Sequence, residues 1–231
     1  MRPFYRFFWG LGSGLCALLF RLRVEGRMHI PTEGGLIVAS NHCSYVDPIL
    51  IGVASYRELC YVAKREVFPI PVLGWLITRL NAIPIDRSAR GDRQALRRIE
   101  EAVGLGGALL MFPEGTRNKA GRFLKPRSGI GMMVVRNSVP VVPVYLSGTV
   151  NVWRTLLGLE RAVVRFGPPL RFDRGEEDDR KGAYRRIGAG VMAAIDALSR
   201  ASSKQAAVPP DGSSVLDPDR YSEMKEEVPD V

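Results

Sequence analysis

The chain of 231 residues is long enough for one domain with a sizeable core, and a composition of 46% hydrophobic and 25% charged residues is that of a globular protein. Lys and Arg number 33 against 24 Asp and Glu, but unevenly: from Ala201 onward there are three basic and seven acidic residues, leaving 30 basic and 17 acidic ones in residues 1–200. A basic body with an acidic tail points to an anionic partner such as membrane lipid or a phosphorylated substrate; nucleic acid has only the net charge in its favour, with no recognisable module, and is not expected as a partner.

In chain order, Phe4-Tyr5-Arg6-Phe7-Phe8-Trp9 leads into a glycine-punctuated apolar run ending at Phe20, followed by Arg21-Leu22-Arg23. The uncharged part, Phe7 to Phe20, falls short of the roughly 20 residues needed to span a bilayer. Aromatic residues and arginines at both ends suit a helix lying among lipid headgroups, and a helix packed on its own domain is the alternative. No small-residue cleavage site follows, so a signal peptide is not expected. Gly10, Gly12 and Gly14 have the wrong spacing and no preceding strand for a nucleotide loop. His29 reads as a residue at a strand end, without a role.

Leu36-Ile37-Val38-Ala39 is short and β-branched enough for a buried strand, and Ile49 to Ala54 suits a helix. Between them stands Asn41-His42-Cys43-Ser44-Tyr45-Val46-Asp47-Pro48. Proline favours the first helical position, so Asp47 is expected as the N-cap and Pro48 as the first residue, leaving His42 in a loop at a strand's carboxyl end. A His and an Asp five apart cannot face each other on a regular helix, but a loop can fold them together. Asp47 would then fix the tautomer of His42 and leave Nε2 free to take a proton from a hydroxyl. An N-cap aspartate beside an incidental histidine fits this stretch equally well. Cys43 adjoins His42, yet chain neighbours point in different directions. Cys16, Cys43 and Cys60 are odd in number and lack C-x-x-C spacing, so a disulfide framework and a zinc site are not indicated and a reducing compartment is the simpler inference. With two histidines, His29 and His42, no metal site is expected.

Further strands are predicted at Leu59–Ala63, Ala82–Ile85, Ala108–Phe112 and Ala162–Phe166, with a proline-led turn and short helix over 68–77 between the first two. Asp92 is a cap for a helix to Val103 with Gly104 as the stop. Pro113-Glu114-Gly115-Thr116-Arg117-Asn118 crowds a carboxylate, a glycine, a hydroxyl and a guanidinium at a strand end, where glycine admits close backbone approach and arginine matches a phosphate. A turn closed by a Glu114–Arg117 ion pair is the alternative. Ser128 is the expected cap of a helix through Val135. Val139 to Leu146 is β-rich, and its two prolines predict a sheet edge or a bulge. A last helix runs from about Glu176 to Arg200 with acids in its first turn.

This alternation predicts an α/β fold, a mostly parallel central sheet flanked by helices, with the strand ends at Asn41, Lys64, Asp86 and Pro113 on one rim. The expected organisation is a membrane-associating segment over residues 1–23, one domain over 24–200 and a disordered acidic tail over 201–231.

Asn41-His42-Cys43-Ser44-Tyr45-Val46-Asp47 resembles the N-H-x-x-x-x-D block of the glycerolipid acyltransferase family, whose best-known members are lysophosphatidic acid acyltransferases. Phe112-Pro113-Glu114-Gly115-Thr116-Arg117 is similar to its F-P-E-G-T-R block, and Val139-Pro140-Val141-Val142-Pro143-Val144 to its V-P-V-x-P-V block. Ile83-Pro84-Ile85-Asp86-Arg87 is similar to a weaker block ending in arginine. Order and spacing match over roughly residues 24–170. The resemblance implies acyl transfer from acyl-coenzyme A or acyl-carrier protein, as cosubstrate without other cofactor, to a lysophospholipid at the cytoplasmic face of the cell membrane. It implies His42 as base, Asp47 as its partner, Arg87, Glu114, Gly115, Thr116 and Arg117 at the acceptor's phosphate, and Val139, Pro140, Val141 and Pro143 in shaping the acyl pocket. Where relatives often have a lysine two residues before a glycine, this chain has Arg127-Ser128-Gly129, with Lys125 nearby. Rival readings are another lysolipid acceptor, such as lyso-ornithine lipid, a hydrolase, for which the G-x-S-x-G elbow is missing, and a lipid-binding protein without catalysis.

Overall fold

The computed structural model describes residues 3–86, 92–120, 122–173 and 179–206. Contacts within the chain group Met1–Arg200 as one unit. Its centre is β2 (Leu36–Ser40), whose five residues are all buried. A strand covered on both faces has no need of alternation, which is why it reads as a continuous apolar run. Around it lie β1 (Arg23–Glu25), β3 (Leu59–Lys64), β4 (Ala82–Ile85), β5 (Ala108–Met111), β6 (Val141–Ser147) and β7 (Val163–Phe166), in the order β1-β7-β6-β2-β5-β3-β4. Every pairing is parallel except β6 with β7. The carboxyl ends of β2, β3, β4, β5 and β6 therefore share one rim.

The pleat sorts β2 between two layers. Leu36 and Val38 pack with Cys16 and Phe20 of α1 (Pro3–Phe20) and with Leu50 and Ile51 of α2 (Asp47–Ala54). Ile37 and Ala39 face Ile99 of α4 (Arg93–Gly104), Ile130 and Met133 of α5 (Ser128–Asn137) and Ile187 and Val191 of α7 (Arg180–Ala206). Two short helices, α3 (Leu73–Arg79) and α6 (Val152–Leu156), follow β3 and β6.

Local chemistry explains several boundaries. The Asp92 side chain accepts the N–H of Ala95 at 3.0 Å, capping α4 as expected. Ser128 caps nothing; it is the first residue of α5, behind Arg127. The first turn of α7 holds no acid, because Asp179 precedes it and takes the N–H of Gly182 at 2.6 Å. Helix α7 runs on to Ala206, six residues past the expected end at Arg200 and into the expected tail, whose remaining residues 207–231, like Glu176, lie outside the described residues. His29 sits in a 3₁₀ turn, Arg27–His29, with Nδ1 2.9 Å from the Phe166 carbonyl.

Strand β6 is interior, so the prolines do not mark an edge. Pro143 is tolerated because the ladder is bulged: the β6–β7 register slips by one between Val144↔Phe166 and Val141↔Leu170. The Pro143 carbonyl accepts the Gly167 N–H at 2.8 Å, so its nitrogen, which has no proton, faces that same interrupted stretch.

Helix α1 packs on its own domain and also keeps an apolar face exposed. Tyr5, Cys16 and Phe20 are buried against the domain, while Phe7, Leu11, Leu15 and Leu18 are exposed one turn apart. Among the described residues no helix is long and apolar enough to cross a membrane.

Candidate active site

Asp47 is the first residue of α2, with Val46 as N-cap and Pro48 next, rather than the cap itself. From there its carboxylate turns back into the loop and is fully buried. One oxygen, Oδ2, lies 2.9 Å from His42 Nδ1 and accepts the N–H groups of Cys43 and Ser44 at 2.6 and 2.7 Å. Oδ1 is buried without a hydrogen-bond partner. A carboxylate only accepts, so Nδ1 carries the proton and Nε2 presents its lone pair. The two backbone bonds fold the loop so that residues five apart meet, which no helix allows.

The turn after β5 completes the constellation. The His42 ring stacks on Phe112 with centroids 3.9 Å apart and planes 17° from parallel. The His42 N–H donates to Glu114 Oε1 at 3.4 Å, and the His42 carbonyl accepts the Asn118 N–H at 2.7 Å. Glu114, only 3% exposed, also accepts from Asn118 Nδ2 at 3.1 Å and the Leu124 N–H at 3.0 Å through Oε2. The carboxylate thus fastens the turn to the histidine's own peptide and is not presented to solvent. Gly115 has φ +68, and a Cβ there would stand 2.4 Å from Arg127 Cδ, so glycine is required for the turn and for the approach of that side chain. Thr116 and Arg117 are exposed beyond it. The Arg117 guanidinium is not paired with Glu114 but lies 3.4 Å from the centroid of the Tyr45 ring.

Other expected residues fall elsewhere. Arg87 lies outside the described residues. Val141 is fully buried, packed with α4, α5 and α7, and Val139 is packed against the same core. Val139 and Pro140 precede the amino end of β6, at the rim opposite His42, and Pro143 holds the bulge. This block forms strand and core, because an apolar run in an interior strand is taken up by both layers. The roles of Phe112, Asn118 and Tyr45 were missed, since each depends on a partner far along the chain. Asn41 was missed likewise: its side chain donates to the Leu146 carbonyl and accepts the Leu146 N–H, both at 2.8 Å, fixing the loop to β6.

Cys43 is a poor nucleophile in this setting. Burial first, then the negative charges of Asp47 and Glu114, push its thiol up to about 11, against the lowering effect of the Asn41 hydrogen bond. At neutral pH it is almost wholly protonated. Cys43→Ala is expected to retain most activity, and alkylation of Cys43 by iodoacetamide should accelerate only as pH climbs toward 11. Loss of turnover in Cys43→Ala with turnover retained in His42→Ala would require an acyl-enzyme.

The family model described as Acyltransferase matches residues 21–147, which hold both His42–Asp47 and the Glu114–Arg117 turn. The chain belongs to the acyltransferase family. A 1-acyl-sn-glycerol-3-phosphate acyltransferase of Limnanthes douglasii is 34% identical over 159 residues, covering 66% of this chain and 55% of that protein. A lyso-ornithine lipid O-acyltransferase of Pseudomonas aeruginosa is 30% identical over 171 residues, covering 72% and 64%. The crystal structure of the 1-acyl-sn-glycerophosphate (LPA) acyltransferase of Thermotoga maritima is similar, with a TM-score of 0.59 and 25% identity over 84% of this chain and 83% of that one. The chain spans about half the length of several of the curated acyltransferases it matches.

Proposed function

We propose that the protein moves a fatty acyl group from acyl-coenzyme A or acyl-carrier protein to the free sn-2 hydroxyl of lysophosphatidic acid, giving phosphatidic acid. The observation that carries this reading is the His42–Asp47 pair with the Glu114–Asn118 turn bonded to both sides of the His42 peptide. His42 Nε2 takes the acceptor hydroxyl proton as the oxygen attacks the thioester carbonyl. The tetrahedral intermediate collapses with loss of thiolate, which recovers the proton from the imidazolium that Asp47 stabilises. A thioester is already activated, so the scheme requires neither metal nor covalent acyl-enzyme.

In this reading Thr116, Arg117 and the main chain at Gly115 meet the acceptor phosphate, with Arg87 in the same role, while Glu114 holds the turn that carries them. Arg127, packed along Gly115, adds positive charge beside it. Arg117→Ala is expected to raise the acceptor KM by about 10- to 100-fold, the size of a lost charge-assisted hydrogen bond, with a smaller change in kcat. An unchanged KM would move the phosphate elsewhere. The exposed apolar face and flanking arginines of α1 support residence on the membrane surface.

Similarity to the lyso-ornithine lipid acyltransferase favours one second reading, a headgroup without the glycerol phosphate. Thiol release and product mass with one acyl-thioester donor and a panel of lysolipids decide between them. Preference for lysophosphatidic acid supports the first reading, and preference for lyso-ornithine lipid overturns it. Fatty acid released without any acceptor would indicate a hydrolase.

A further inference from the structure

Helix α6 turns a polar side chain inward and a large aromatic one outward. Its buried side chain is polar: Thr155 is fully enclosed and donates to the Gly148 carbonyl at 2.5 Å. Val152 packs against the core, but Trp153 and, just past the helix, Leu157 are each 74% exposed, with Val150 and Leu159 beside them also exposed. Single exposed leucines are ordinary, but a tryptophan and several aliphatic residues gathered on one five-residue helix and its flanks form a patch whose exposure to water is unfavourable. Arginines border it. Arg154 is paired with Glu160, while Arg161 is exposed and Arg21 donates to the Gly158 carbonyl at 3.0 Å.

The patch has a defined place. Strand β6 runs parallel to β2, so α6 emerges on the rim that carries His42, and Asn41 binds β6 at Leu146 just before the chain leaves the sheet. The carboxyl end of α1 is tied to the segment after α6: the Phe20 carbonyl accepts the Ala162 N–H at 3.0 Å, and the Arg23 N–H reaches the Ala162 carbonyl at 2.9 Å. An outward apolar patch edged with arginine, linked through Ala162 to the carboxyl end of α1, thus stands on the rim of the catalytic loop.

We propose that α6 is a second lipid-inserting element, separate from α1, that seats the catalytic rim on a leaflet bearing anionic headgroups. An apolar patch edged by cationic side chains suits the boundary between acyl chains and anionic headgroups. Trp153 would sit at headgroup level, where an amphipathic indole is favoured. The acyltransferase reading supplies the reason for the rim to face lipid; the insertion itself can be measured without it.

The test uses the full chain with Trp153→Ser and Leu157→Ser combined, and separately with Leu159→Glu, leaving α1 intact. All three residues are exposed, so the fold is expected to persist. Flotation with phosphatidylcholine vesicles, with and without phosphatidylglycerol, reads binding. The wild-type chain is expected to bind the phosphatidylglycerol vesicles and to be weakened by salt, and both variants to bind at least about tenfold less tightly, the scale of withdrawing a Trp and a Leu from lipid. Turnover of vesicle-borne lysolipid should fall with binding, while turnover of a short-chain monomeric acceptor stays at the wild-type rate. Unchanged flotation overturns the proposal. So does a wild-type dimer in light scattering that the variants dissolve while vesicle binding persists, since the face then belongs to a second copy. Weakened flotation in a protein that acylates no lysolipid would support the lipid face and remove the proposed reaction.

Discussion

Replacing His42 with alanine is expected to lower kcat by about 10²- to 10⁴-fold, the usual contribution of a positioned general base, while the protein stays folded. The fold should survive because the side chain is not what holds the loop. Asp47 Oδ2 keeps the N–H groups of Cys43 and Ser44, and the His42 peptide keeps its bonds to Glu114 and Asn118. Phe112 loses its stacking partner, a small term beside a buried core. Initial rates on the preferred lysolipid, together with Tm, check both halves. A variant that retains wild-type kcat would show that the imidazole does not move the proton, and the proposed mechanism would fall with it.

The Glu114→Ala variant is expected to suffer in stability and activity together. Its carboxylate serves three donors, the His42 N–H, Asn118 Nδ2 and the Leu124 N–H, at a site almost closed to water. Alanine leaves the N–H groups of His42 and Leu124 with no acceptor, each at a cost of about 1 to 3 kcal/mol where water cannot enter, while Asn118 Nδ2 keeps the Arg122 carbonyl. Partial relaxation should hold the total to about 2 to 4 kcal/mol, or roughly 5 to 15 °C in Tm. Activity should fall as well, because the turn that carries Thr116 and Arg117 is then tied to His42 only through the Asn118 N–H on the His42 carbonyl. Glu114→Gln keeps one acceptor oxygen and is expected to recover part of the stability. An alanine variant with unchanged Tm and an acceptor KM raised as in Arg117→Ala would instead mean that this carboxylate touches substrate.

Much of the fold was legible because the signals were local. The strand Ala82–Ile85 was predicted with the bounds it has, and Asp92 caps α4 as its position before an amphipathic run implies. The parallel sheet follows from alternating strands and helices, and with it the shared rim. Less was legible where a segment takes its conformation from its neighbours. Arg23–Glu25 has charges at two of its three positions and is a strand because β7 offers it an edge; Glu25 meets Arg165 at 2.6 Å across that pairing. Val152–Leu156 is too short for periodicity to register, and it exposes Trp153 while burying Thr155, against the pattern by which helices are recognised.

What the sequence by itself determined is the inventory of chemistry and the places where each part leaves the sheet. A histidine and an aspartate stand in a loop after one buried strand, and a carboxylate, a glycine and an arginine in a turn after another. The tertiary structure alone decided which of these meet and in what role. It brought residue 42 beside residues 112, 114 and 118, gave Glu114 the task of tying two loops, laid Arg117 on Tyr45, and took the Val-Pro block into the core. The physical reason is that propensity and capping act within a few residues, whereas a buried carboxylate must find donors wherever the packed chain supplies them. At the strand ends of this sheet those donors come from segments some 70 residues apart.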